Sequence, residues 1–195
     1  MAFEILVVCT GNICRSPIAA QLLAVGLDAA HVHSAGVAAV VGSDIASGML
    51  EAIERAGVPV VPHAARQVTE PMIAHSDLVL TMDTDQRSWI LGRVPMALKR
   101  AYTLREFALI CDYLDTSGEI TWPVRLDDES RLQDLMDRAS QQRGRFPLGP
   151  NLVIDDPFRR EAEDYDRALA EIRAAVDQIV TTVRHSPRNR AAQIG

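Results

Sequence analysis

An apolar run from Phe3 to Val8, interrupted only at Glu4 and ending in two valines, passes straight into Cys9-Thr10-Gly11-Asn12-Ile13-Cys14-Arg15-Ser16-Pro17. Short continuous runs of this kind suit a strand buried on both faces of a parallel sheet. Ile18, Leu22, Leu23 and Val25 then recur at helical spacing as far as Gly26. The unit reads as strand, loop, helix, with Ser16 as the expected N-cap and Pro17 at the first helical position, where its missing N–H costs nothing. A chain that begins this way has to build an open α/β sheet around its first strand.

The remaining pattern agrees with that beginning. His31 to Ser34 reads as a second strand, Asp44 to Ala56 as a helix closed by Gly57, and Val58 to Val61 as a short extended piece. Thr69 caps a short helix to His75 with Pro71 in its first turn, Asp77 to Met82 is a buried third strand, and Asp83 to Leu91 a helix. Arg100 to Thr103 forms a fourth strand and Leu104 to Leu114 a helix. Ala162 to Val183 is a long amphipathic helix with Leu169, Ile172, Val176, Ile179 and Val183 on one face. Strands alternating with helices predict a three-layer α/β fold: a four-stranded parallel sheet with helices on both faces and the loop after the first strand. Residues 1–184 are expected to form a single domain, with an extended segment at about 110–150 containing a polar helical pattern from Asp127 to Arg143. Residues 185–195 read as a polar tail.

Composition narrows the function. The chain has 195 residues and a net charge of −6, so no global basic field draws it to nucleic acid. No apolar run approaches the roughly 20 residues that span a bilayer. Glu4 breaks the first apolar run, and neither a charged leader nor a small-residue cleavage site accompanies it, so the expected location is the cytoplasm. Three cysteines argue against a disulfide framework and leave a reactive thiol open.

That thiol is Cys9. The loop lies at the carboxyl end of the first strand and opens a helix, the place where open α/β sheets bind ligands and where helix amides favour anions. Gly11 is expected to let the backbone turn tightly so that successive amides face one oxyanion. The same amides, with Arg15, stabilise Cys9 as a thiolate nucleophile. Arg15 can hold two oxygens of a phosphoryl group, and Ser16 can hydrogen-bond the sulfur as it leaves. Transfer to a thiolate still needs a proton donor, and Asp156, held extended by Pro157, can project one, with Asp155 beside it.

These residues resemble the low-molecular-weight protein tyrosine phosphatases. Cys9 to Pro17 matches the family's phosphate loop throughout, and Asp156-Pro157-Phe158 matches its general-acid loop. The resemblance implies Cys9 as nucleophile, Arg15 as phosphate clamp, Asp156 as general acid and then base, and Thr10, Gly11, Asn12, Ile13, Cys14 and Ser16 around the phosphate. It implies neither metal nor cofactor. It further implies that Ser34 and His63, with Ser16, hold Asn12 in a left-handed backbone conformation. The partner it implies is a phosphotyrosine-containing protein, with no nucleic acid or membrane, and the chain itself is expected to be a monomer or weak dimer.

The likeness spans about Phe3 to Leu104 and Asn151 to Val183, and departs from the family in its aromatic flanks. Val40 and Val41 stand where a tryptophan is common, and Arg159 replaces a second tyrosine after Phe158, which is left as the single aromatic wall. Three other readings use the same residues. An arginine-phosphate phosphatase tends to carry threonine in place of Ile13. An arsenate reductase needs two further working cysteines, here only Cys14 and Cys111, and has no use for Asp156. A non-catalytic phosphopeptide-binding module would usually have lost one of Cys9, Arg15 and Asp156. Cys14 is either a packing residue or the partner that captures oxidised Cys9 as a disulfide; Cys111, Trp89 and Trp122 read as packing.

Overall fold

The computed structural model describes residues 2–120, 122, 126–143 and 152–184. The tail from His185 and the Pro147 to Pro150 stretch lie outside them.

The sheet has four parallel strands, β1 (Phe3–Cys9), β2 (Ala30–Gly36), β3 (Leu78–Thr81) and β4 (Ala101–Thr103), in the order β2-β1-β3-β4. From β1 the chain crosses to one side to make β2 and then returns past it to make β3. The direction of winding therefore reverses at β1, and the crevice at such a reversal opens at the carboxyl ends of the strands. β1 is flanked on both edges and covered on both faces. Every residue in it except Glu4 is buried, the outcome expected of a continuous apolar run.

Alternation along β1 divides the core. Phe3, Ile5 and Val7 point to one side, where they meet the helices α1 (Arg15–Gly26), α2 (Ser47–Arg55), α5 (Leu104–Thr116), α6 (Asp128–Gln142) and α7 (Ala162–Arg184). Leu6 and Val8 point to the other, under Ile73 of α3 (Glu70–His75), Ile90 of α4 (Thr84–Arg93) and Ala97 of the 3₁₀ turn Pro95–Lys99. This is the three-layer α/β arrangement the alternating pattern predicts.

Several boundaries differ from the sequence expectation, each for a local reason. Helix α1 begins at Arg15, so Ser16 is not its N-cap; the flanking residue, Cys14, supplies no side-chain cap, and the Ser16 hydroxyl is engaged by the loop instead. Pro17 is thereby the third helical residue, still among the positions whose N–H needs no intrahelical partner. Val25, expected on the apolar face of α1, is exposed. β2 extends to Gly36, two residues beyond the predicted end. Helix α2 starts at Ser47 rather than Asp44, because the Ala46 N–H is donated to the Ile13 carbonyl (2.8 Å). The short piece Val58 to Val61, expected to be extended, adds no strand to the sheet: the Val61 N–H goes to the Gln21 side chain, and prolines at 59 and 62 offer no donor. Thr69 and Asp83 cap α3 and α4, each accepting a backbone N–H through its side chain.

The segment after α5 is packed, not appended. Leu132, Leu135, Met136 and Ala139 of α6 join the main core, and Trp122 is buried with its indole N–H donated to the Thr182 carbonyl of α7 (3.1 Å). Cys111 is fully buried in α5, as expected of core filling.

Candidate active site

The loop after β1 is shaped by the destination of its carbonyls. Those of Cys9, Thr10 and Gly11 accept hydrogen bonds from the N–H groups of Val37, Ala38 and Val40, each at 3.0 Å, and that of Ile13 from Ala46 at 2.8 Å. The Asn12 carbonyl meets His63 Nε2 at 2.7 Å. In a planar trans peptide the C=O and N–H point in opposite directions. Because the carbonyls face outward to these partners, the intervening amides face the inside of the loop, forming an anion cradle at the amino end of α1.

The turn itself is made at Asn12, with φ 55°, not at Gly11, whose φ is not positive. Asn12 adopts this left-handed conformation because every polar group it has is used. Its N–H points at Cys9 Sγ (3.3 Å), its Nδ2 donates to Ser16 Oγ (3.0 Å) and Ser34 Oγ (2.9 Å), and its Oδ1 accepts the Arg66 N–H (2.9 Å). Ser16 Oγ in turn donates to Cys9 Sγ at 3.0 Å. Glycine is needed one strand away: a Cβ on Gly36 would stand 2.5 Å from the Thr10 carbonyl oxygen.

Opposite the sulfur lies Arg15, almost completely buried. One terminal nitrogen donates to the Ile154 carbonyl (2.9 Å) and lies 3.8 Å from Asp83 Oδ2. The other donates to Asp156 Oδ2 (2.6 Å). Its Nε is buried and has no hydrogen-bond partner among the described residues. Asp156 also fixes the turn that follows it, accepting the Phe158 N–H at Oδ1 (3.2 Å); its neighbour Asp155 is exposed. Burial, with Asp156 and Cys9 alongside, pushes the Cys14 thiol up to about 12, so at neutral pH it is a neutral packing group. Cys9 and Cys14 are both free thiols.

The structure thus brings Cys9, Arg15 and Asp156 around one pocket of about 200 Å³ and sets Ile13, Val40 and the half-exposed Phe158 as its apolar walls. Ser34 and His63 stand behind the loop at Asn12. Three contributors were not picked out from the sequence. Gln86 bridges the Met82 N–H and Thr10 Oγ1, Asp83 faces Arg15, and Arg66 ties the Ser34 carbonyl to Asn12. Asp83 and Gln86 follow the carboxyl end of β3, which is the rim of the same crevice. That position was the signal available for finding them.

A buried thiol accepting two hydrogen bonds, a ring of inward amides and an arginine facing it make a site that can bind an oxyanion and attack its central atom. Comparison with known proteins agrees with this class of site. The family model "Low molecular weight phosphotyrosine protein phosphatase" matches residues 4–146, and the chain belongs to that family. A probable low molecular weight protein-tyrosine-phosphatase, EpsP of Ralstonia solanacearum, is 29% identical over 184 residues, which is 94% of this chain and 98% of the relative. A protein-arginine-phosphatase of Geobacillus stearothermophilus is 32% identical over 145 residues, covering 73% of this chain and 97% of the relative. Among solved structures, the tyrosine phosphatase Wzb of Escherichia coli K30 in complex with sulphate shares the fold, with a TM-score of 0.66 at 23% identity over 92% of this chain and 97% of its own. The YwlE arginine phosphatase from G. stearothermophilus aligns with a TM-score of 0.65 at 27% identity, covering 98% and 96%.

Proposed function

We propose that this protein hydrolyses phosphotyrosine in protein substrates by two displacements at Cys9. In the first, the Cys9 thiolate attacks phosphorus, the bond from phosphorus to the phenolic oxygen breaks, and Asp156 gives its proton to the departing phenoxide. In the second, Asp156 takes a proton from water as that water attacks the phosphocysteine, and the sulfur leaves as thiolate. The Asn12 N–H and the Ser16 hydroxyl, both aimed at Sγ, stabilise that sulfur at the start and at the end of the cycle.

The observation that carries the reading is the convergence of Cys9, Arg15 and Asp156 on one narrow pocket. The loop amides and Arg15 hold the three phosphoryl oxygens, and the unpartnered Arg15 Nε is a donor available to one of them. Donors already in place where charge develops stabilise the transition state without reorganisation. Ile13, Val40 and Phe158 offer apolar contact to a flat ring. Cys111, fully buried in α5, is badly placed to relay oxidation outward as an arsenate reductase requires.

A second reading has its own support. Asp156 brings a carboxylate to the pocket and Asp83 a second one to Arg15 at its edge, a setting that also suits the guanidinium of a phosphoarginine, and a Geobacillus relative and structure are named arginine phosphatases. Side-by-side turnover of phosphotyrosine, phosphoserine and phosphoarginine peptides and of arsenate, with Cys9→Ser as blank, decides between them. Phosphotyrosine turned over well ahead of the others is the expected result; phosphoarginine in the lead would replace it. No helix among the described residues is long and apolar enough to cross a membrane, and we read the site as serving cytoplasmic phosphoproteins from a monomer or weak dimer.

A further inference from the structure

A second cluster of titratable side chains lies at the opposite end of the sheet from the loop. His31 and His33 are two residues apart on the edge strand β2 and so project from the same face. The parallel register sets Glu4 of β1 opposite His31. Both imidazoles converge on that one carboxylate: His31 Nδ1 is 3.0 Å from Glu4 Oε1, and His33 Nδ1 is 3.6 Å from Oε2. One donor atom from each of the three residues falls within 4.8 Å of the other two.

We propose that Glu4, His31 and His33 form a binding site for a divalent ion of the zinc class, with the remaining coordination position taken by water. Two histidines and one carboxylate are an established donor set for zinc. With metal–ligand bonds of about 2.0–2.1 Å, tetrahedral donors stand about 3.4 Å apart, a spacing bracketed at the one oxygen Glu4 Oε2 by His31 Nδ1 at 3.1 Å and His33 Nδ1 at 3.6 Å. The Glu4 backbone is fixed on its other side, where its N–H donates to Asp77 Oδ2 (2.9 Å) and its carbonyl accepts the Asp77 N–H (2.8 Å).

A bound ion would clamp the edge strand to the central one. His33 adjoins Ser34, whose hydroxyl accepts from Asn12 and whose carbonyl accepts from Arg66, so the clamp would act on the strand that supports the loop. The test is calorimetric titration of zinc into the full chain carrying Cys9→Ser, which removes the loop thiol as a competing ligand, and into His31→Ala and His33→Ala variants made on it. His31 is exposed and lies at the sheet edge; where His33→Ala fails to fold, His33→Gln keeps the side-chain bulk. Expected are one zinc per chain and binding at least about tenfold weaker in each histidine variant, the lower bound even for changes behind the ligands. Cobalt(II) in place of zinc should give a visible d–d band with no thiolate charge-transfer band. Zinc bound equally well by both variants, a thiolate band with cobalt, or no saturable binding below about 1 mM overturns the proposal.

Discussion

Asn12 carries more of the site than its modest side chain suggests. A non-glycine residue in the left-handed region costs roughly 1–2 kcal/mol, and here the cost is offset by hydrogen bonds that reach Cys9, Ser16, Ser34, His63 and Arg66. Glycine would keep the backbone angle but lose the side-chain bonds, whereas alanine would lose both. Asn12→Ala is therefore expected to be less stable than Asn12→Gly by about 1 kcal/mol in urea denaturation, with both losing activity; equal stabilities would mean the angle is unstrained. At the other wall of the pocket, two adjacent aspartates have different surroundings. Asp156 pairs with Arg15 while Asp155 is exposed. Asp156→Asn should lower kcat for phosphotyrosine by about 10² to 10⁴ and much less for an aryl phosphate with an activated leaving group, and Asp155→Asn should do little to either. Steady-state kinetics on the two substrates checks the assignment, and the reverse pattern would move the acid to Asp155.

Among the elements, those with their own local signals were legible in advance. Thr69 and Asp83 read as helix starts and act as caps, and β1 and β3 read as buried strands and are fully sheltered apart from Glu4. Three of the departures share a cause. Ser16 read as a helix cap, Ala46 as a helical residue and Val61 as part of an extended piece, but their hydroxyl or N–H is taken by a residue outside the element: Cys9, Ile13 and Gln21 respectively. Propensity cannot register such competition, because the competitor is not a sequence neighbour. Helix α6 shows the opposite case, a polar pattern that hides a buried stripe. Leu135 is fully buried beneath it, so Leu135→Ala should destabilise the protein by about 2–5 kcal/mol while leaving KM for an aryl phosphate unchanged, as thermal denaturation and kinetics together would show.

For the whole molecule, the question is whether the segment around α6 folds with the sheet. We propose that residues up to 184 form one cooperative unit. Core residues of α6 and α7 belong to the same cluster as Ile5 and Val7 of β1, and Trp122 is bonded to the last turn of α7. The two tryptophans report on opposite layers, since Trp89 packs on the far side of the sheet. Tryptophan fluorescence and far-ultraviolet circular dichroism should thus give coincident urea transitions; a separate early transition in fluorescence would show α6 and its surroundings unfolding independently.

By itself the sequence determined the order of strands and helices, the loop from Cys9 to Pro17 and the residue types able to do phosphoryl chemistry. All of these are properties of neighbouring residues, readable from period, caps and spacing. The tertiary structure alone decided that Arg15 donates to Asp156, 141 residues away, and that Asp83, Gln86 and Arg66 stand around the loop. It also decided that Glu4 faces two histidines across a strand pair. These depend on sheet register and on where each backbone carbonyl finds its donor, and both are settled only when the whole chain has packed.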